Sequence, residues 1–130
     1  MSFEPDPVLS RLTFEVIGAA MEVHSALGPG FLEAIYEEAL CVEFKLRRIR
    51  FERQVAVPMK YRGFDVGLAR LDLLVEDRII VELKAVEALS RVHTAQLVAY
   101  LKAKRLPLGL LINFNATHLR NGIRRVVNTL

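Results

Sequence analysis

The chain has 130 residues, a length at which one domain can bury a sizeable core, and 52% of its residues are hydrophobic. Its single cysteine, Cys41, excludes an internal disulfide and a cysteine-ligated metal cluster, and no apolar run reaches the ~18 residues of a membrane span. The net charge is +3, with thirteen arginines among eighteen basic residues. We expect one domain over residues 1–130 without an N-terminal signal peptide, located in the cytoplasm.

Two helices are predicted in the first third of the chain. They cover residues 9–27 and 31–48, on either side of Gly28-Pro29-Gly30. The core stripe expected for the first helix is Leu9, Leu12, Val16, Ala19 or Ala20, Val23 and Leu27. The core stripe expected for the second is Leu32, Ile35, Ala39, Val42 and Leu46. Gly30 is a candidate N-cap, which would put Glu33 at the third helical position, where a carboxylate caps free N–H groups.

The rest of the chain alternates between strands and one further helix. Strands are predicted at residues 51–61, 64–75, 79–84 and 107–114, with a last edge strand at 123–127. A helix capped by Ser90 runs to about Lys104. The order ααβββαβ plus a terminal strand favours an α/β (α+β) fold with a mixed central sheet flanked by helices.

The strands at 64–75 and 79–84 carry the residues most suited to chemistry. If the loop between them is residues 76–78, Val75 faces Ile79 and Asp72 faces Glu82, with Cβ atoms roughly 4.5–5.5 Å apart. Lys84 shares the Glu82 face because strand side chains alternate. Two close carboxylates and a lysine can hold a divalent cation and handle a water molecule, as metal-dependent phosphodiester hydrolysis requires.

Two details of this hairpin remain open. A two-residue loop would put the carboxylates on opposite faces. The charges could also decorate a solvated edge, although the apolar runs 73–75 and 79–81 indicate strands covered on both faces. On the first strand, alternation predicts that Leu71, Leu73 and Val75 share one face, opposite Asp72.

Further polar residues lie on the helices. Gln96 and Tyr100 share a face of the third helix, which His93 and Lys104 extend; such a face could contact phosphates or be an ordinary solvated surface. Glu33 could act as a helix cap or point into a cleft, with Tyr36 one turn on. His24, at the end of the first helix, is more often a structural residue than a metal ligand or base.

Basic residues form two clusters in the sequence. One comprises Lys45, Arg47, Arg48, Arg50 and Arg53, and the other comprises Arg120, Arg124 and Arg125. Arginine clusters suit bidentate contacts to nucleic-acid phosphates. At this modest net charge a solvated protein surface is an equal alternative.

Several segments together resemble the GxxExxY protein family. They are Val23-His24-x-x-Leu27-Gly28-Pro29, Gly30-Phe31-Leu32-Glu33-Ala34-Ile35-Tyr36, Asp72-Leu73-Leu74-Val75, Glu82-Leu83-Lys84-Ala85, Gln96-x-x-x-Tyr100 and Gly109-Leu110-Leu111-Ile112-Asn113-Phe114. The resemblance covers nearly the whole chain. That family is placed in the PD-(D/E)XK nuclease-like superfamily, whose αβββαβ core agrees with the element order predicted above.

The resemblance implies a role for each site residue. Asp72, Glu82 and the backbone carbonyl of Leu83 would bind Mg²⁺ or Mn²⁺, hard ions that suit oxygen ligands, and Glu33 would be a further acidic ligand. Lys84 would orient or help deprotonate the attacking water. Gln96 and Tyr100 would position the nucleic-acid backbone or that water. The residues expected to contact nucleic acid are Arg47, Arg48, Arg50, Arg53, Arg70 and Lys104, and those that could line the site are His24, Tyr36 and His93.

The expected function is therefore a metal-dependent nuclease that hydrolyses phosphodiester bonds of nucleic acid, with DNA as the expected substrate. One alternative is a non-catalytic module on the same fold that binds nucleic acid or a protein. Another is an accessory subunit that cuts only within a larger complex. A homodimer or a larger complex is a further alternative, because a 130-residue core offers only a short cleft.

Overall fold

A computed structural model describes residues 6–128 of the chain. Its elements are α1 (Pro7–Leu27), α2 (Glu33–Leu46), β1 (Phe51–Tyr61), β2 (Phe64–Val75), β3 (Ile79–Lys84), α3 (Arg91–Lys104), β4 (Leu108–Asn113), a 3₁₀ turn at Leu119–Gly122 and β5 (Ile123–Val127). The predicted order of elements is confirmed. No helix within residues 6–128 is long and apolar enough to cross a membrane. The first five residues, on which the signal-peptide prediction depends, lie outside the described range.

The sheet is mixed and has the order β1-β2-β3-β4-β5. Among the strand pairs of residues 6–128, only β3–β4 is parallel, and α3 is the crossover between those two strands. Helices α1 and α2 pack on one face with Val81, Leu110 and Ile112, whereas α3 packs on the other face with Ile80 and Leu111. The central strands are therefore covered on both faces, as their continuous apolar runs predicted.

The first two helices begin differently from each other. In α1, the Asp6 side chain accepts a hydrogen bond from the Val8 N–H and Pro7 occupies the first turn, two features that favour helix initiation. The prediction that Gly30 caps α2 is wrong, because Leu32 is the N-cap and Glu33 is the first helical residue. Gly30 instead has a φ of 110°, which suits the loop between the helices.

The core stripe predicted for α2 is also wrong. Leu32, Ile35, Val42 and Leu46 are exposed, and the helix buries Tyr36, Leu40, Cys41 and Phe44 instead. Of the predicted stripe, only Ala39 packs against the core, where it is half-buried. The reason is tertiary: the Tyr36 ring stacks on Phe114, with ring centroids 4.6 Å apart and planes 12° apart. With Tyr36 directed at the sheet, the predicted apolar stripe lies on another side of the helix and faces away from the sheet.

Strands β1 and β2 extend well past the rest of the sheet as a two-stranded arm (residues 55–70). The base of the arm packs on α3 through Val55, Val57 and Leu71. No residue from 58 to 68 is buried. Leu71 therefore faces α3, and the prediction that it shares the face of Leu73 and Val75 is wrong. The change of face coincides with an irregularity in the neighbouring strand β1, where Gln54 has a φ of 50° and is missing from the regular pairing between Arg53–Leu73 and Val55–Leu71.

Candidate active site

The candidate site forms where β2 and β3 stop pairing. The turn between them is residues 76–78, and Glu76 and Asp77 both have positive φ, of 51° and 55°. Val75 faces Ile79, and the register continues to the Leu73–Val81 pair. The next position along each strand is Asp72 and Glu82, so the predicted juxtaposition of these carboxylates is confirmed.

At this point, hydrogen bonds to the two carboxylates replace the backbone-to-backbone hydrogen bonds between β2 and β3. The Asp72 N–H donates to Glu82 Oε2 over 2.7 Å, and the Leu83 N–H donates to Asp72 Oδ2 over 2.8 Å. Each carboxylate is thus fixed through one of its oxygens. Because the N–H and C=O of one strand residue point to the same edge, the Leu83 carbonyl also points toward β2, beyond the last strand pair. Two carboxylates and one carbonyl therefore converge where the strands separate.

The charges at the site are poorly compensated. Burial and the negative charge of Asp72 raise the pKa of Glu82 to about 8, against weaker opposing effects of the hydrogen bond from the Asp72 N–H and of the Lys84 charge. Burial likewise raises the pKa of Asp72, although its hydrogen bond from Leu83 opposes the shift. Glu82 is 5% exposed and can recruit little water. A cation placed between these carboxylates would favour their ionised forms.

Glu33 approaches the carboxylates from the start of α2. Partial burial raises its pKa, the charge of Asp72 raises it further, and Lys84 opposes both effects. Tyr36 holds the loop that leads to Glu33: its hydroxyl donates to the Gly28 carbonyl over 2.6 Å and accepts from the Phe31 N–H over 3.2 Å. Tyr36 is fully buried, so its contribution to the site is to position this loop.

Helix α3 brings one predicted residue into electrostatic contact with the carboxylates. Burial raises the pKa of the Tyr100 hydroxyl, and the charges of Glu82 and Asp72 raise it further. Gln96 lies one turn earlier on the same face and is exposed. His93 helps to cap the start of α3, where its Nδ1 accepts a hydrogen bond from the Ser90 N–H. Lys104 is exposed at the last turn.

Two residues near the site were not singled out from the sequence. Asn113, at the end of β4, is buried; its side chain accepts from the Val86 N–H and donates to the Val86 carbonyl, which anchors the segment after Lys84. Gln54 lies on β1 across from Asp72; its Nε2 donates to Glu37 Oε1 over 2.8 Å, and its nearby amide weakly lowers the pKa of the Asp72 carboxyl. A buried polar residue closing an apolar strand is a signal that could have identified Asn113.

His24 does not belong to the candidate site. Its Nε2 donates to the Ala116 carbonyl over 2.8 Å, and its ring lies 6.5 Å from the Phe114 ring. The histidine therefore ties the end of α1 to the segment after β4. This is the structural role that the sequence favoured.

The basic residues predicted to contact nucleic acid are spread over the surface. Arg47 pairs with Glu43, Arg50 pairs with Glu76, and Arg53 pairs with both Glu37 and Glu38. Arg70 donates to the Gln54 carbonyl at the base of the arm. Arg48 and Lys104 make no ion pair within residues 6–128. Ion pairing reduces the positive charge that three of these six residues could offer to phosphates.

The donor set fits a hard divalent cation. Within residues 6–128, no three His, Cys, Asp or Glu side chains are close enough to hold a metal by themselves, so Glu33 does not complete a three-carboxylate site. Mg²⁺ commonly binds through one or two carboxylates and takes its other ligands from water and substrate phosphates. Asp72, Glu82 and the Leu83 carbonyl supply that kind of partial, all-oxygen set.

Comparison with known proteins agrees with this geometry. The sequence model of the PD-(D/E)XK nuclease superfamily matches residues 10–126, which include every residue of the site. No curated protein and no solved structure matches the chain significantly. Nucleases of this superfamily generally use divalent metals. Because the match spans nearly the whole chain and its fold is the one described above, the protein belongs to the PD-(D/E)XK nuclease superfamily.

Proposed function

We propose that the protein is a metal-dependent nuclease that hydrolyses phosphodiester bonds of DNA, within the GxxExxY group of the superfamily. The observation that supports this proposal most directly is the pair of hydrogen-bonded carboxylates, Asp72 and Glu82, where β2 and β3 separate. Their raised pKa values mark a site that gains stability from a cation. The expected single domain and cytoplasmic location remain predictions.

In this proposal, Asp72, Glu82 and the Leu83 carbonyl hold Mg²⁺ or Mn²⁺, and the bound ion supplies Lewis-acid stabilisation of the phosphate. Lys84 places a positive charge on the same side of β3 as Glu82, where it orients the attacking water and offsets charge that develops on the phosphate. Glu33 positions water from the α2 side. Tyr100 and Gln96 hold the nucleic-acid backbone from the α3 side.

A cleavage assay tests the proposal. Labelled single- and double-stranded DNA and RNA are incubated with the protein and Mg²⁺ or Mn²⁺, and products are resolved by gel electrophoresis. Cleavage should fall at least a hundredfold in Asp72→Asn and in Glu82→Gln, because each removes one charge from the metal site. Glu15→Gln, which neutralises an exposed carboxylate on α1, is the matched control and should cut as the wild type does.

Either of two results would refute the proposal. One is the absence of cleavage of every substrate with both metals. The other is cleavage that survives in Asp72→Asn and Glu82→Gln at the rate of the Glu15→Gln control, because that activity would come from another site or a contaminant. DNA as the substrate is refuted separately if only RNA is cut.

A further inference from the structure

The arm formed by β1 and β2 ends in two exposed aromatic residues, which we call the tip pair (Tyr61 and Phe64). The two residues stand directly opposite each other in the register of the strands, so their Cβ atoms lie roughly 4.5–5.5 Å apart. Tyr61 is 63% exposed and Phe64 is 74% exposed. Two large rings held side by side in water form a platform that a flat aromatic group can cover.

The turn between the two rings adds a cation to this platform. Arg62 and Gly63 form a two-residue loop with φ values of 52° and 84°, and a type I′ hairpin turn requires positive φ at both positions. The Arg62 guanidinium lies 5.7 Å from the centroid of the Tyr61 ring. The tip therefore combines two aromatic rings with an arginine, the groups on which single-stranded nucleic acid stacks its bases.

The charge of the arm suits a polyanion. Its acidic residue, Asp65, is neutralised by an ion pair with Lys60. Arg62 at the tip and Arg70 at the base make no ion pair among the residues that the structure describes. The arm thus carries two uncompensated positive charges, one at each end, which phosphates along a nucleic-acid strand complement.

The tip pair lies on the same face of the sheet as the candidate active site. Val57 packs on the α3 side, and strand alternation places Met59 and Tyr61 on that side of β1 as well. On β3, Ile80 also packs on the α3 side, so Glu82, two residues later, has the same orientation. A strand of nucleic acid lying along this face can therefore contact the tip pair and the carboxylates at once.

The length of β2 sets the separation between these two points. The strand continues from Phe64 to Asp72, which is on the order of 25 Å at ~3.3 Å per residue. A stacked strand of nucleic acid advances ~3.4 Å per nucleotide, so about seven nucleotides span this distance, and a strand stretched to about twice that rise needs about four. Shorter oligonucleotides cannot contact both points.

We propose that the tip pair and Arg62 form a stacking subsite for single-stranded DNA, about four to seven nucleotides from the phosphate held at Asp72 and Glu82. The faces of the bases are hidden inside a duplex, so the subsite selects single strands. The subsite rests on the proposed nuclease function for its ligand and assigns to the arm the choice of substrate form.

Fluorescence tests whether bases stack at the tip. The chain has no tryptophan, so Tyr61→Trp introduces a single fluorophore at the subsite. An oligothymidylate of about 12 nucleotides, added in EDTA to prevent cleavage, should quench this tryptophan by stacking on it. Phe14→Trp, at an exposed aromatic position on α1, is the matched control and should not be quenched. No quenching of Tyr61→Trp, or equal quenching of both proteins, would overturn the subsite.

A series of oligothymidylate lengths tests the separation. Wild-type affinity in EDTA should rise at least fivefold as the length passes from about three to about eight nucleotides. Tyr61→Ser/Phe64→Ser should lose this step and bind the longer oligonucleotide about tenfold more weakly, whereas Phe14→Ser should keep it. A duplex of the same length should bind the wild type and the double variant equally. A wild type without the step, or a step that survives in the double variant, would overturn the proposal.

Arg62→Gln keeps both rings and tests the cation separately. It should weaken binding of the longer oligonucleotide and lower the slope of affinity against salt by about one, whereas Arg11→Gln, exposed on α1, should do neither. Equal salt slopes for the two variants would remove Arg62 from the subsite.

These measurements separate the subsite from the nuclease function because none of them requires cleavage. If Tyr61→Trp is quenched and the length step is present but no nucleic acid is cut with Mg²⁺ or Mn²⁺, the nuclease function fails and the subsite stands. If DNA is cut but neither signal appears, the subsite fails and the nuclease function stands. A dimeric wild type beside a monomeric Tyr61→Ser/Phe64→Ser in sedimentation equilibrium would make the tip pair an interface between copies and overturn the proposal.

Discussion

Replacing Glu82 with glutamine should make the metal-free protein more stable at alkaline pH. The folded protein holds a proton on Glu82 up to about pH 8, whereas the same group in the unfolded chain titrates near 4.5. Between these values the folded state binds more protons, so the free energy of unfolding of the wild type falls as pH rises. Glutamine cannot ionise, and its Oε1 can still accept the hydrogen bond from the Asp72 N–H.

The expected difference in stability between Glu82→Gln and the wild type follows from the pKa shift of Glu82. A pKa rise from 4.5 to about 8 corresponds to a loss of roughly 5 kcal/mol from the free energy of unfolding of the wild type between pH 4.5 and pH 8. Because the ends of β2 and β3 can part and admit water once Glu82 ionises, we expect about half of this, ~2–3 kcal/mol. Asp72 and Glu33 titrate in both proteins, so the difference between wild type and Glu82→Gln reports chiefly on Glu82.

Urea unfolding followed by circular dichroism measures this difference at pH 5 and pH 9, with EDTA present. The two proteins should be close in stability at pH 5, and Glu82→Gln should exceed the wild type at pH 9. Glu15→Gln, exposed on α1, should follow the wild type at both pH values. Parallel pH dependence of wild type and Glu82→Gln would refute the argument, because it would mean that Glu82 ionises as easily in the fold as in water.

The remaining predictions concern the metal, the lysine and the loop before α2. At pH 9, Mn²⁺ at a hundred times its dissociation constant should raise the free energy of unfolding by about 2.7 kcal/mol, but not in Asp72→Asn/Glu82→Gln; equal gains would place the ion elsewhere. Lys84→Met should lower cleavage about 10²–10⁴-fold, whereas the exposed Lys102→Met should not; comparable rates would remove Lys84 from the chemistry. Tyr36→Phe should lose about 1–2 kcal/mol in urea unfolding, since its buried hydroxyl makes two hydrogen bonds; no more loss than in the exposed Tyr61→Phe would contradict this.

The carboxylate pair could be predicted because its geometry is local. Strand alternation and a three-residue loop together determine that Asp72 meets Glu82, and both depend on residues within about ten positions of each other. The confirmed order of the elements and the motif resemblance then led to the superfamily. Here short-range patterns and the tertiary fold agree.

The orientation of α2 could not be predicted in the same way. The helix carries two apolar stripes, one through Tyr36 and Leu40 and one through Ile35 and Val42, and the helical period allows either to face the sheet. The choice depends on the stacking of Tyr36 on Phe114, which lies 78 positions later in the chain. The face of Leu71 was likewise not predictable from alternation, because the β1–β2 pairing is irregular at Gln54, on the neighbouring strand.

The arm formed by β1 and β2 has a consequence for the dynamics of the chain. Between residues 58 and 68 nothing is buried, so its ladder of hydrogen bonds is held by two strands alone, an arrangement of marginal stability in water. The amides there should exchange with deuterium by local opening, orders of magnitude faster than those of β3 and β4, whose exchange requires global unfolding. In the proposed nuclease, whose site would admit and release a long polymer, such an arm could bend and re-form while the carboxylates of Asp72 and Glu82 keep their positions.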